Sequence, residues 1–240
     1  MMILLDCKNL SWGYAGQSPL VSAFDFKLHE GEVVALLGAN GCGKSTFLKT
    51  LIGQLPPVSG NVLLLGRAQW DARSRAQVIA LVRMGAAAPA RMKVREFVGL
   101  GRMPYTGLFD VRSSADMKKV DEALALLSLE NFANRWMTEL SDGERSRVYL
   151  AESLAQQVKV LLLDEPNAFL DIPHSRKLFS TLRNLAHEKK MGIVVSTHSV
   201  EYAEKYCDRI ISVSNGVARV ENAADARSKG LLDWTESDPF

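Results

Sequence analysis

The stretch Gly38-Ala39-Asn40-Gly41-Cys42-Gly43-Lys44-Ser45-Thr46 decides the fold, because it has the spacing GxxxxGK[ST] between a predicted strand at 32–37 and a predicted helix at 44–54. Glycines let successive backbone N–H groups point at phosphate oxygens, and the helix adds its positive N-terminal end. Lys44 then reaches the β- and γ-phosphates of a nucleotide, and the Ser45 hydroxyl can ligate Mg²⁺. A chance glycine turn is the alternative. We expect all nine residues to hold the phosphates of a nucleotide.

A second motif lies at the end of the apolar run 160–163, where Asp164 and Glu165 follow directly. A strand ending there delivers Asp164 beside the phosphate loop, where it can hold Mg²⁺ directly or through water. Glu165 points elsewhere and can accept a proton from water attacking the γ-phosphate. A charged strand end is common in α/β proteins and is the alternative. With the phosphate loop, the pattern predicts that the chain binds and hydrolyses a nucleoside triphosphate.

Short apolar runs between helical stretches predict an α/β fold, because strands of a largely parallel sheet are buried on both faces and lose their alternation. Asn215-Gly216 predicts a hairpin turn into a strand at 217–220, which is a local antiparallel edge. The other predicted strands are 32–37, 62–65, 78–82, 160–163, 193–196 and 210–213. The predicted helices are 44–54, 94–99, 115–127, 143–156, 173–189 and 200–206. The fold class is therefore a P-loop core sheet, mostly parallel, with an antiparallel edge.

The chain is predicted to be one domain over residues 1–240, with a helical subdomain inserted in the core. Residues 86–156 show no convincing strand pattern and form that insert. Residues 221–240 mix charge with small residues and are predicted to be a peripheral tail, anchored by Leu231, Leu232 and Trp234.

Composition excludes several functional classes. The 240 residues are 47% hydrophobic and 23% charged, which is typical of globular domains. Lys+Arg 29 against Asp+Glu 27 gives a formal net charge of +2, so no nucleic-acid partner is indicated. The apolar runs fall far short of the ~18 residues of a membrane span. Three cysteines without a CxxC pair and four scattered histidines predict free thiols in a reducing compartment and no structural metal site.

Four ordered motifs resemble those of the ATP-binding cassette (ABC) ATPases, over residues 4–220. Leu140-Ser141-Asp142-Gly143-Glu144 is a variant of that family's LSGGQ signature, and Asp164-Glu165-Pro166 follows one strand later. Asn167-Ala168-Phe169-Leu170-Asp171 and Ser196-Thr197-His198 complete the set. The resemblance implies a head-to-tail pair of copies holding two ATPs. Each ATP would lie between the phosphate loop of one copy and the signature of the other.

The resemblance also implies a role for each matching residue. Ser141 and Gly143 would approach the γ-phosphate in the partner copy's site, although Ser141 is equally explained as a helix cap. His198 matches a switch histidine that hydrogen-bonds the γ-phosphate, and Asp171 matches an aspartate that couples the two sites. Tyr14 stands where the family places an aromatic ring that stacks on adenine, with Trp12 as its rival.

Within the family, Met103-Pro104-Tyr105 and the run 197–203 resemble importers of iron–siderophore complexes, haem and cobalamin. That likeness implies an ATPase on the cytoplasmic face of the cell membrane, working through separate transmembrane permease subunits and a substrate-binding protein. Another transporter class, including an exporter, would keep every catalytic residue. A soluble cassette ATPase of DNA repair or translation is also open, but those usually carry a second cassette or coiled-coil insertions.

One position departs from the family pattern. Counting back from Val94 by the importer spacing places Met84 where a glutamine usually helps to ligate Mg²⁺. A thioether is a poor ligand for a hard cation. Water could fill that position and leave a slower ATPase, or the chain could be a nucleotide-binding coupling subunit with weak hydrolysis.

Overall fold

The structure, a computed structural model, describes residues 1–83, 89–107, 111–168 and 170–232. These residues form two β-sheets and several helices. The strands are β1 (Ile3–Trp12), β2 (Val21–His29), β3 (Val33–Gly38), β4 (Ser59–Leu64), β5 (Ile79–Arg83), β6 (Val160–Asp164), β7 (Gly192–Ser196), β8 (Arg209–Ser214) and β9 (Val217–Asn222). The α-helices are α1 (Lys44–Leu51), α2 (Ala72–Ala76), α3 (Val94–Leu100), α4 (Ser114–Leu126), α5 (Asp142–Ala155), α6 (Ile172–Lys189) and α7 (Val200–Tyr206).

The larger sheet has the order β5-β6-β7-β3-β8-β9, and every neighbouring pair is parallel except β8 with β9. One face of β3 (Val34, Leu36) packs with α1 and the smaller sheet, while the other face (Val33, Leu37) packs with the helices that follow. Burial on both faces explains why these strands read as continuous apolar runs. The predicted α/β fold with a mostly parallel core sheet is confirmed.

The predicted hairpin is also confirmed. Asn215 and Gly216 have φ values of 48° and 77°, and Ser214 pairs with Val217 across the turn. Positive φ at both central residues is what a type I′ hairpin requires, and Asn-Gly adopts it at little cost.

The prediction for strand 62–65 needs a correction. That segment, β4, lies in a separate three-stranded antiparallel sheet of order β2-β1-β4 and not in the parallel sheet. Its residues are mostly half-buried or exposed, as expected for a sheet with one covered face. The strands β1 and β2 were not predicted, because the pairing register of β1 shifts at several points and Asn9 has a φ of 47°. Such irregularities break the period of two that indicates a strand.

The six predicted helices are confirmed with small differences at their ends, and α2 was not predicted. Helix α1 ends at Leu51 and not at residue 54. Helix α6 begins one residue before Pro173, which stands in its first turn as expected. Among the described residues between β5 and β6, helices α3, α4 and α5 pack on one another and no named strand occurs. The boundaries of the insert, 86–156, stay a prediction, since 86–88 lie outside the described residues.

The C-terminal segment packs on the core as far as it is described. Leu231 and Leu232 are buried in the same apolar cluster as Ala203 of α7. Trp234, the third predicted anchor, lies outside the described residues, so the prediction of a peripheral tail at 221–240 stays a prediction. None of the described helices is long and apolar enough to cross a membrane.

Candidate nucleotide-binding site

The phosphate loop connects the end of β3 to the start of α1. Gly38 has a φ of 154°, and a Cβ there would lie 2.6 Å from both Cys42 Sγ and the Val213 carbonyl oxygen. Gly43 caps α1 in the left-handed conformation, with φ 105° and ψ 14°. No other residue type fits these two positions without strain. Ala39, Asn40, Gly41 and Ser45 are exposed on the loop, whereas Lys44 and Thr46 are buried.

The Lys44 ammonium folds back over its own loop. Its Nζ donates to the carbonyl oxygens of Gly38 (2.7 Å) and Ala39 (3.1 Å), and it lies 4.0 Å from Glu165 Oε1. Only 5% of the side chain is exposed. A cation held by backbone carbonyls at the centre of an open glycine loop suits a phosphate group, which would replace those weak partners.

Two hydroxyl side chains converge on one oxygen of Asp164, and one of them also binds the neighbouring backbone. Ser45 Oγ and Ser196 Oγ donate to Asp164 Oδ1, at 3.1 Å and 2.8 Å, and the backbone N–H of Glu165 donates to Ser196 Oγ at 2.8 Å. Ser196 is fully buried and was not singled out from the sequence. A polar residue at the carboxyl end of an apolar strand was the available signal, since that edge is where ligands bind in open α/β sheets.

The pair Ser45 and Asp164 fits Mg²⁺. No group of three or more His, Cys, Asp or Glu side chains suited to a metal occurs among the described residues. Mg²⁺ needs no such cage, because it keeps several waters and is usually held by one or two protein groups together with substrate phosphates. A hydroxyl and a carboxylate 3.1 Å apart beside the loop supply those groups.

Glu165 turns away from Asp164 and meets His198. Its φ of 50° places it in the left-handed region, which reorients the side chain relative to the preceding strand residue. His198 Nε2 lies 2.7 Å from Glu165 Oε1, and the two side chains are 47% and 37% exposed. Thr197 Oγ1 donates to Asn167 Oδ1 at 3.1 Å, tying together the loops that carry the pair. A carboxylate and an imidazole thus face solvent beside Lys44.

The two candidate adenine-stacking residues differ sharply in exposure. Trp12 is completely buried, its Nε1 donates to the Gly43 carbonyl oxygen at 3.1 Å, and its ring packs on Phe47. It therefore has no face for a ligand. Tyr14 is 48% exposed, and its hydroxyl lies 3.5 Å from Thr46 Oγ1 at the end of the phosphate loop. Of the two rings, only that of Tyr14 is accessible to a base.

The signature segment begins α5. Ser141 is the N-cap: its Oγ accepts from the Glu144 N–H at 3.3 Å, and its own N–H donates to Glu144 Oε2 at 2.8 Å. The Ser141 hydroxyl also donates to Glu144 Oε2 at 2.9 Å, and the hydrogen bonds that the backbone N–H and this hydroxyl donate lower the pKa of the Glu144 carboxyl. Capping of α5 by Ser141 is thus observed, and the contact of Ser141 and Gly143 with a partner's nucleotide stays a prediction.

Asp171 caps α6 in the same manner. Its Oδ1 accepts from the His174 N–H at 2.9 Å and lies 2.6 Å from His174 Nδ1. Hydrogen bonds from the backbone and ring of His174 lower the pKa of the Asp171 carboxyl. The predicted coupling residue is therefore exposed but held in one orientation. Met84 and Phe169 lie outside the described residues.

The phosphate loop, Asp164, Glu165, His198 and Tyr14 all gather at the carboxyl ends of β3, β6 and β7 or directly beside them. Fold and site together define a P-loop nucleoside triphosphatase. The family model described as ABC transporter matches residues 21–168. The chain belongs to the ABC transporter family, as an ATPase domain.

Relatives in sequence agree with this assignment. The uncharacterised ABC transporter ATP-binding protein MJ0873 of Methanocaldococcus jannaschii is 37% identical over 88% of this chain and 73% of its own length. The achromobactin transport ATP-binding protein CbrD of Dickeya dadantii is 34% identical over 92% of this chain and 83% of its own length. The cobalamin import ATP-binding protein BtuD of Halobacterium salinarum is 38% identical over 93% of this chain, which spans 56% of that relative's length.

Solved structures with the same fold include two informative ones. An inward-facing transporter assigned to the metal-chelate ABC type superposes with a TM-score of 0.86 at 27% identity, covering 98% of this chain and 90% of its own. The dimeric ABC cassette MJ0796 superposes with a TM-score of 0.78 at 27% identity, and the match covers 91% of this chain and 98% of the MJ0796 chain.

Proposed function

We propose that this chain hydrolyses ATP on the cytoplasmic face of the cell membrane to power an importer of metal chelates or cobalamin. The observation that carries hydrolysis is the placement of Glu165, hydrogen-bonded to His198 and 4.0 Å from the Lys44 ammonium. The named roles of CbrD and BtuD, and the likeness to a metal-chelate type transporter, support the cargo class.

The chemistry is in-line attack of water on the γ-phosphate. Tyr14 stacks on adenine, and the N–H groups of the loop bind the phosphates. Glu165 accepts the proton of the attacking water, while His198 orients the Glu165 carboxylate and that water. Lys44 and the partner's Ser141 stabilise the charge that develops on the γ-phosphate oxygens. Ser45 and Asp164 hold Mg²⁺, which neutralises charge on the β- and γ-phosphates when bound.

The working unit is a head-to-tail dimer docked on two transmembrane permease subunits, with a substrate-binding protein delivering the cargo. The dimeric structure of MJ0796 supports the pairing of copies. Membrane attachment then runs through protein contacts, which suits a chain whose formal net charge is only +2.

Substituting Glu165→Gln tests the proposal. The amide keeps the size of the side chain but cannot accept the proton, so turnover should fall by at least about 100-fold. ATP should then be retained in a closed dimer, measured by gel filtration with labelled ATP. Lys44→Ala is the matched control and should bind no ATP.

Wild-type turnover in the Glu165→Gln chain would contradict Glu165 as the base. A parent chain that binds ATP but hardly hydrolyses it, even with its permease, would instead favour the coupling-subunit interpretation suggested by Met84. Uptake of labelled cobalamin, haem and ferric siderophores into vesicles containing the permease encoded beside this chain would separate the cargo classes, and export from those vesicles would contradict import.

A further inference from the structure

The imidazole of His174 lies where helices α5 and α6 meet, and it has no role in the chemistry proposed above. His174, in the first turn of α6, bonds Asp171 Oδ1 through both its backbone N–H and ring Nδ1. On the other side its ring faces Gly143 in the first turn of α5. A Cβ on Gly143 would lie 3.0 Å from His174 Cδ2 and 3.4 Å from Nε2. His174 therefore contacts two residues assigned to the dimer interface at once.

The contact with the His174 ring disfavours a side chain at position 143, independently of any partner copy. Gly143 is in a regular helix with no positive φ, so the backbone alone would accept alanine, which is the better helix former. A methyl group there would lie 3.0–3.4 Å from the ring atoms, so the imidazole would have to shift by a few tenths of an ångström, which strains its hydrogen bond to Asp171. The ring has space to move, because it is 59% exposed and lines, together with Gly143, a cavity of about 150 Å³.

We propose that His174 is a positioning residue for ATP hydrolysis: its imidazole sets the Asp171 carboxylate and the first turn of the signature helix in one fixed relative position. Asp171 couples the two sites of the dimer, and Gly143 approaches the partner's nucleotide, so both must arrive at the interface together. This inference rests on the proposed function for its catalytic consequence, but the contact itself is a property of the single chain.

Kinetics of His174 variants test the catalytic part. In His174→Leu the bulk and the backbone N–H bond to Asp171 remain and only the ring's hydrogen bond is lost, so kcat should fall about tenfold, the effect of one hydrogen bond to a charged group. His174→Asn places an amide N–H near the position of Nδ1 and should recover most of that loss. ATP affinity of the single chain should not change, because the phosphate loop is intact. His187→Leu, in the last turn of the same helix, should leave kcat and affinity at the parent values.

A double-mutant cycle in denaturant unfolding tests the contact. In the parent chain Gly143→Ala should be neutral or destabilising, because the methyl group displaces the ring. In a His174→Ala background the same change should stabilise the chain, as expected for alanine in a helix. The expected result is that Gly143→Ala raises the free energy of unfolding in the His174→Ala background and does not raise it in the parent chain.

The outcomes distinguish failure of the positioning role of His174 from failure of the proposed ATPase function. Additive effects in the unfolding cycle, or a His174→Leu chain that hydrolyses ATP at the parent rate, would overturn the positioning role while the parent's ATPase activity stands. Loss of kcat that His174→Asn does not recover would also overturn it, since the hydrogen bond to Asp171 would not be the cause. A parent chain that binds no ATP would overturn the proposed function and the catalytic role together.

Discussion

At the scale of one residue, the reactivity of the Cys42 thiol can be used to detect a nucleotide bound on the phosphate loop. It is half-buried, and its Sγ lies close to the backbone at Gly38. Burial raises its pKa, against an opposing effect of Lys44, so at neutral pH the thiol form dominates and the reactive thiolate is scarce. Cys7 and Cys207 are buried and free, and burial raises their pKa values as well, that of Cys207 to about 12.

We therefore expect slow alkylation of native protein by iodoacetamide at pH 7, confined to Cys42 and faster as the pH rises. Mg-ATP should suppress it, because phosphates occupying the loop exclude the reagent. Mass spectrometry locates the label, and Cys42→Ser is the control that should remain unlabelled. Equal labelling with and without saturating Mg-ATP would contradict a nucleotide on this loop.

Most of the site was predictable because its residues sit in contiguous motifs. The loop, Asp164, Glu165 and His198 each lie at or just after the end of a strand, and the parallel sheet brings the ends of those strands together. Ser196 was missed because its importance depends on β6 lying beside β7, which a single sequence does not reveal. The sequence also left open whether Trp12 or Tyr14 would stack on adenine. Burial excludes Trp12, and Trp12 is buried because it lies in β1, a strand that was not predicted.

At the scale of elements, Arg102 ties the helical region together. It is 5% exposed, its Nε donates to Asp116 Oδ1 at 3.0 Å, and its Nη1 donates to the Ala155 carbonyl oxygen at 2.7 Å. Its guanidinium also stacks on the Tyr105 ring, with 3.8 Å from Cζ to the ring centroid. One buried cation thus links the start of α4, the end of α5 and the turn that follows α3.

Substituting Arg102→Ala should lower the free energy of unfolding by about 3 kcal/mol, because the Ala155 carbonyl loses its side-chain donor and Asp116, which keeps its hydrogen bonds from Ser113, loses its ion pair. Denaturant unfolding followed by circular dichroism measures it. Arg95→Ala is the matched control: Arg95 pairs with Asp121 on the surface, with both side chains more than 40% exposed, and should cost less than about 1 kcal/mol. Equal effects of the two substitutions would contradict Arg102 as a structural link.

Helix α5 also carries a carboxyl group whose ionisation the fold makes less favourable. Burial raises the pKa of Glu152 from its ordinary 4.5 to about 7. The C-terminal end of α3 lies directly against this part of α5, since a Cβ on Gly101, which follows α3, would clash with the Glu152 carbonyl oxygen. Between pH 4.5 and about 7 the folded chain binds a proton that the unfolded chain does not. Stability associated with Glu152 is therefore lost as the pH rises through that window.

Glu152→Gln should remove this loss. The variant should be more stable than the parent at pH 8, by an amount on the order of 2 kcal/mol, and the difference should shrink as the pH falls toward 4.5. Unfolding free energies measured across pH 4.5–8.5 give the comparison. Glu122→Gln, which changes an exposed glutamate of α4, should show no comparable gain at pH 8. A difference that does not vary with pH would contradict a raised pKa for Glu152.

At the scale of the whole molecule, the residues proposed to act on ATP divide into two sets held by different parts of the chain. Lys44, Glu165 and His198 lie together at the end of the parallel sheet, and Ser196 links Glu165 to Asp164. Ser141 makes its hydrogen bonds within the first turn of α5. If the second set serves the nucleotide of another copy, a dimer contains two identical composite sites.

A mixing experiment decides whether the sites are shared. Lys44→Ala disables the phosphate loop and leaves the signature intact, whereas Ser141→Arg blocks the signature and leaves the loop intact. Each variant alone should be inactive, because both of its composite sites contain a defect. A mixed dimer has one site with no defect and one with two. Since half of the dimers in an equimolar mixture are mixed, ATPase activity should recover to about a quarter of the parent value if the sites act independently.

The control for that mixture is the double variant carrying both changes in one chain. Mixed with the parent chain it gives dimers with one defect in each site, which should add no activity beyond that of the parent homodimers. If each chain instead contained a complete site, the two single variants would remain inactive when mixed, and the double variant would not reduce the activity of the parent copies. Recovery in the first mixture together with inhibition in the second is the combination that only head-to-tail sharing of Lys44 and Ser141 produces.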